Sequence, residues 1–166
     1  MTKLCDIDLY NLIQEYNAVN IDGVPQYEGI QSGSIDIRIG DKIIIEKRSG
    51  MVEMYIPPSG LIVQPGEFFL AETLESFNIP NGYGMDLKLK SSMARLGWNH
   101  SLAFWFDPGW VGVGTMEIKN IKQYAVLMIK PHQWFAQIFI EKLSGESQRP
   151  YKGRYHGART VEQAKL

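Results

Sequence analysis

The chain has 166 residues, 45% of them hydrophobic, and a formal net charge of −1. That length is one domain's worth, enough to bury roughly 70% of the surface an unfolded chain exposes. So even a charge balance gives no field for general nucleic-acid binding, and a single cysteine, Cys5, excludes an internal disulfide. Residues 1–6 lack the apolar run of a signal peptide, and no stretch approaches the ~20 apolar residues of a membrane span. The expectation is one cytoplasmic domain over residues 1–166, with neither nucleic acid nor membrane as partner.

Residues 6–16 read as the one substantial helix. Asp6 is placed to cap it, and Leu9, Leu12, Ile13 and Tyr16 form one stripe at i, i+3, i+4 and i+7. Residues 19–33 are turn-rich, with Asp22-Gly23 and Pro25 set against any regular element. Ile35, Ile37 and Ile39 alternate with Asp36 and Arg38, which is strand spacing. The two charges share the outward face, where they can pair with each other or with a neighbouring subunit. Further strands are expected over residues 43–45, 61–63 and 68–71. Pro57-Pro58-Ser59-Gly60, Pro65-Gly66 and Asn81-Gly82 supply the turns.

Met85, Leu87 and Leu89 alternate with Asp86, Lys88 and Lys90, so a strand delivers the chain into Ser91-Ser92. Those serines suit a helix start, residues 93–96 make one turn, and Gly97 can close it in a left-handed cap. Free N–H groups at such a start have phosphate-binding geometry, with Lys90 beside them and Arg95 one turn beyond Ser91 on the same face. The plainer reading is a cap alone. After an apolar run over residues 101–106, Asp107-Pro108-Gly109 is a turn carrying a carboxylate, either an ordinary turn or a water activator. Thr115, Glu117 and Lys119 then share one strand face and Met116 and Ile118 the other, which sets Glu117 away from the core. Strands over 125–129 and 136–140 are joined through Pro131-His132. The tail over 147–161 holds Arg149, Lys152, Arg154 and Arg159 with no acidic residue, as a solvated end or a phosphate-binding lid. Strands about every ten residues argue for an all-β barrel or jelly-roll-like domain. Phosphate grips and two separate carboxylates point to hydrolytic chemistry on a nucleotide.

Five ordered segments carry a more specific signal: Gln31 with the following residues to Gly40, the run from Lys90 to Gly97, Asp107-Pro108-Gly109-Trp110, Met116-Glu117-Ile118-Lys119-Asn120, and Pro150-Tyr151-Lys152-Gly153-Arg154-Tyr155. Together they resemble the dCTP deaminase family of the dUTPase-like superfamily. The resemblance implies a distorted β-barrel with one N-terminal helix and a C-terminal lid tail over 147–166. It also implies a homotrimer with active sites at subunit interfaces, dCTP or dUTP as substrate, dTTP as inhibitor, and Mg²⁺ arriving on the triphosphate. Glu117 becomes the general base, with Ser91 and Arg95 orienting water and ring and the Ala103 main chain helping to hold the nucleophile. Lys90, Ser92, the Ser91 turn, Arg95, Tyr151 and Arg154 fall to the triphosphate, Gln137 to the nucleotide face and Asp107 to the sugar region. Met93, Ala94, Trp105, Thr115 and Met116 complete the implied substrate-binding set.

A zinc deaminase needs a His or Cys plus a Cys-x-x-Cys pair beside a His-x-Glu signature. One cysteine and three histidines, His100, His132 and His156, are not spaced for that, so no catalytic zinc is expected. The chain also departs from the family pattern. Lys90 stands where arginine is usual, which keeps the charge without the bidentate fork. Trp105 holds a position where deaminase-only members often have arginine and members that also cut the triphosphate have an aromatic; the short loop over 97–107 leans the same way. Phe104 crowds the pyrimidine position and Ala158 replaces a tail glutamine. Three readings stand: deamination of dCTP to dUTP, a bifunctional enzyme continuing to dUMP and pyrophosphate, and a catalytically silent nucleotide-binding regulator.

Overall fold

The computed structural model describes residues 2–100 and 103–165. The chain enters through a two-residue strand β1 (Thr2–Lys3) and helix α1 (Asp6–Tyr16). Cys5, not Asp6, is the N-cap; Asp6 and Asp8 lie inside the first turn, where their charge is favourable at the positive end of the helix dipole. Leu9, Leu12 and Ile13 are buried as their spacing requires, but Tyr16, at the end of the stripe, is exposed. Where no regular element was expected, β2 (Val19–Ile21) and β3 (Val24–Pro25) form a short hairpin. Asp22 and Gly23 both take positive φ at its tip, the geometry of a two-residue hairpin turn.

The next element is longer than its pattern suggests. β4 (Ile35–Lys47) runs unbroken through Gly40 and is followed by an unanticipated hairpin partner, β5 (Gly50–Tyr55). β6 (Leu61–Val63) is followed by β7 (Phe68–Asn78), which extends well past residue 71. β8 (Tyr83–Leu89) leads into helix α2 (Ser91–Leu96) and then β9 (Trp98–Asn99). Residues 101 and 102 of the expected apolar run lie outside the described residues; its end forms β10 (Trp105–Phe106). β11 (Val111–Asn120), β12 (Leu127–Ile129) and β13 (Trp134–Lys142) complete the strands.

The fold is all-β as expected, and its principal sheet has the order β10-β8-β13-β4-β7-β11-β9. It does not close into a barrel. β10 and β9, only two residues each, form its unjoined ends, and β12 pairs β6 as a separate two-stranded sheet. β4 is the fold line: residues 35–38 pair with β13, while Ile39 and residues 43–45 pair with β7 across a register shift. An irregularity of this sort bends a strand and lets one chain segment serve two walls. Ile37, Ile39, Ile43 and Ile45 of β4 all face the common core, with Phe69, Phe77, Met116, Ile118 and Phe135.

Asp36 and Arg38 do share a face, but they do not pair with each other. Each is engaged instead by a side chain from a neighbouring segment of the chain. Asp36 forms an ion pair with Lys90. Arg38 donates its Nε to Glu75 Oε1 at 2.7 Å and its main-chain N–H to Glu75 Oε2 at 2.9 Å, and it stacks on Trp134 at 4.8 Å. Glu75 is buried, and desolvation holds its carboxyl above the usual range despite these bonds from Arg38. Arg38→Ala therefore leaves a buried carboxylate without its cation, and is expected to lower stability by about 3 kcal/mol in urea denaturation at neutral pH.

Candidate active site

β11 carries the group on which the site turns. Its alternation puts Met116 and Ile118 in the core and leaves Thr115 and Glu117 half-buried on the opposite face. In the antiparallel register with β7, Glu117 stands opposite Leu70, Thr115 opposite Glu72 and Lys119 opposite Phe68. Residues paired this way project to the same side, so apolar side chains flank the Glu117 carboxylate. They line a cavity of 520 Å³ with Ala103, Trp105, Phe106, Trp110 and the tail residues Tyr155, Ala158, Glu162 and Gln163.

Burial raises the Glu117 pKa above the ordinary carboxylate range, while main-chain hydrogen bonds from Glu117 itself and from Ala103 act in the other direction. A carboxylate so placed is a stronger proton acceptor than one in water, and its acid form persists to higher pH. His100 follows β9 directly and is packed against this group, its Nδ1 3.7 Å from Glu117 Oε2 and its side chain 1% exposed. Burial lowers its pKa to about 4, so the imidazole is neutral at neutral pH.

The serine turn lies elsewhere. Lys90 is the N-cap of α2 by its backbone, no side chain caps the helix, and Ser91 and Ser92 sit within its first turn, exposed. Gly97 takes φ +107 and ends the helix in the left-handed conformation expected of it. Arg95 and Ala94 are exposed; Met93 packs into the core. Gln137 donates its amide to the Leu89 carbonyl at 3.2 Å and pairs across strands with Asp36, the partner of Lys90. None of Lys90, Ser91, Ser92, Arg95 and Gln137 lines the Glu117 cavity.

The other implied residues divide between the two places. Trp105 lines the cavity and donates its indole N–H to Asp107 Oδ1 at 3.1 Å, orienting an exposed carboxylate that does not itself line the cavity. Tyr151 packs on Trp110, ring centroids 5.2 Å apart, while the Arg154 guanidinium is engaged by the Lys165 carbonyl. Met116 belongs to the core and does not line the cavity, because the strand's alternation turns its side chain to the opposite face. Among the described residues, no group of three or more His, Cys, Asp and Glu side chains stands close enough to hold a metal ion, and no helix is long and apolar enough to cross a membrane.

The family profile described as dCTP deaminase-like matches residues 5–143. The chain belongs to the dCTP deaminase-like family. Among relatives, a protein named dCTP deaminase from Pyrococcus abyssi is 33% identical over 134 residues, covering 81% of this chain and 84% of its own. One named dCTP deaminase, dUMP-forming, from Methanosphaera stadtmanae is 33% identical over 168 residues, covering 91% and 84%. The crystal structure of 2'-deoxycytidine 5'-triphosphate deaminase from Agrobacterium tumefaciens superposes with a TM-score of 0.69 at 17% identity. It shares the fold over 83% of this chain and 47% of that one.

One part of this candidate site has no signal in the sequence, and another does. In the sequence His100 reads only as a possible metal ligand, and nothing in its neighbourhood signals the 3.7 Å approach to a residue seventeen positions on. Phe68 and Leu70, by contrast, were accessible: period-2 alternation sets them opposite to Phe69 and Ala71. Because the folded chain favours neutral His100, the unfolded chain binds more protons there between pH 4 and 6.5, and stability rises with pH across that window. His100→Gln is expected to remove roughly 2–3 kcal/mol of the stability difference between pH 4.5 and pH 7, read by urea denaturation at each pH.

Proposed function

We propose that this chain hydrolyses the exocyclic amine of dCTP, giving dUTP and ammonia, with Glu117 moving the protons. The observation carrying this reading is a carboxylate of raised basicity in an apolar cavity of nucleotide-base scale, on the strand face its alternation dictates. Water adds to C4 of cytosine as Glu117 takes its proton. The same carboxyl then protonates N3 and passes the second proton to the amine, which departs as ammonia. A positioned acid–base group is worth about 10²–10⁴-fold. Exclusion of water by Phe68, Leu70 and Trp105 strengthens the polar contacts inside.

In one protomer the cavity and the serine turn are separate, so the full site takes Lys90, Ser91, Ser92, Arg95 and Gln137 from a neighbouring copy within a homotrimer. Those groups present two hydroxyls, exposed Arg95 and the Asp36-paired Lys90 to a triphosphate. Arg154 and Tyr151 add to that binding from the tail. Mg²⁺ arrives with the triphosphate, dTTP competes as an inhibitor, and the cytoplasm is the place of work. A second activity, cleavage of dUTP to dUMP and pyrophosphate, is favoured by one contact. Trp105 holds one oxygen of Asp107 and leaves the other to orient a water at the α-phosphate.

Incubation with dCTP and Mg²⁺, with products separated by chromatography, tests these readings. Ammonia with dUTP supports deamination, and dUMP with pyrophosphate supports both steps. Unchanged dCTP with retained binding assigns the chain to nucleotide binding without catalysis. Glu117→Gln is expected to lower ammonia release by at least about 10²-fold while nucleotide binding persists. Asp107→Asn is expected to abolish pyrophosphate and spare ammonia.

A further inference from the structure

We propose that Glu72 is a latch that seats the C-terminal tail across the Glu117 cavity, and is thereby a positioning residue for the reaction. The catalytic half of that statement rests on the role given to Glu117 above. Glu72 lies on β7 opposite Thr115 and projects to the cavity side. Its Oε1 accepts the Lys42 main-chain N–H at 3.1 Å. Its Oε2 accepts both the Thr160 hydroxyl, at 2.7 Å, and the Val161 N–H, at 3.1 Å. One carboxylate thus joins β4 just past its bend, β7, and a tail segment 88 residues further on.

The seat is shaped for this side chain. A Cβ at Gly40 would lie 2.5 Å from Glu72 Cγ, so Glu72 can lie across β4 only because residue 40 has no side chain. The tail touches the wall a second time just before the latch. Gly157 donates to the Val111 carbonyl at 2.8 Å, and Val113 donates to the Ala158 carbonyl at 2.9 Å. Gly112 between them takes φ +123, and a Cβ there would come within 2.5 Å of the Ala158 oxygen. Val161 is then buried, and the next residues, Glu162, Gln163 and Ala164, line the cavity that holds Glu117. Glu72 therefore fixes the last point of the tail before the segment that covers the reacting group. Without it, that cover has no anchor on the β7 side and water enters the cavity there.

Two substitutions separate this role from simple support of the fold. Glu72→Gln keeps an oxygen for Lys42 but puts an amide donor where two donors converge. Thr160→Val removes only the hydroxyl and leaves the contact to β4 intact. Hydrogen bonds to an ionised acceptor are the stronger class. Hydrogen–deuterium exchange of tail residues 157–164 in the ligand-free protein is expected to speed up about tenfold in each variant, with β4 and α1 amides unchanged. The double variant is expected to be no faster than Glu72→Gln alone, because that substitution already loses the Thr160 hydroxyl bond that Thr160→Val removes. In dCTP turnover, KM is expected to rise more than kcat falls. Unchanged tail exchange in Thr160→Val overturns the latch, whatever Glu72→Gln does to stability. Accelerated exchange in a protein that turns over no dCTP upholds the latch and overturns the deaminase reading.

Discussion

The register of β11 against β7 is the constraint on which the site depends. Side chains alternate with period two, so slipping β11 by one residue would exchange Met116 and Ile118 for Thr115 and Glu117 at the core. Burying a carboxylate and a hydroxyl there in place of two apolar side chains is prohibitive, and the register is fixed by that difference. The same force determines where the carboxylate ends up: at the boundary between a packed interior and an apolar cavity. Its raised basicity is a by-product of how the strand packs, needing no separate device to tune it.

Glu117, which lines the cavity, and Asp107, bonded to its wall residue Trp105, live in contrasting surroundings. Glu117 has Leu70 opposite it and neutral His100 behind it, and among the described residues no Lys or Arg forms an ion pair with it. Asp107 is exposed at a turn and tied by an indole N–H. A buried acid suits repeated uptake and release of protons, and an exposed, oriented one suits alignment of water beside a charged phosphate. One fold can thus place two hydrolytic steps on one nucleotide without asking a single group to serve both.

What could be read from the sequence was local. Alternation in the strand after Val111, the strand leading into Ser91, and the left-handed close at Gly97 each depend on neighbours within a few positions, and each is present in the fold. What could not be read depends on distant parts of the chain. Arg38 finds Glu75 thirty-seven residues away, a partner other than Asp36 or a neighbouring subunit that residue order does not reveal. Residues 35–39 and 43–45 read as two separate strands, yet the chain passes between them as one bent strand because β13 and β7 each take half of β4. The separation of the serine turn from Glu117 likewise has no signature in residue order, since it depends on which walls β8 and β11 join.

The open ends of the principal sheet have their own meaning. An unpaired strand edge is a template on which other chains can assemble, and closing the sheet is the usual way to remove it. Here both terminal strands, β9 and β10, are cut to two residues. Each offers too few free amides and carbonyls to nucleate a growing stack. Brevity limits fibre formation at these two ends, while the six-residue β5, paired only with β4 among the described residues, carries a charge, Glu53, in an ion pair with Lys42.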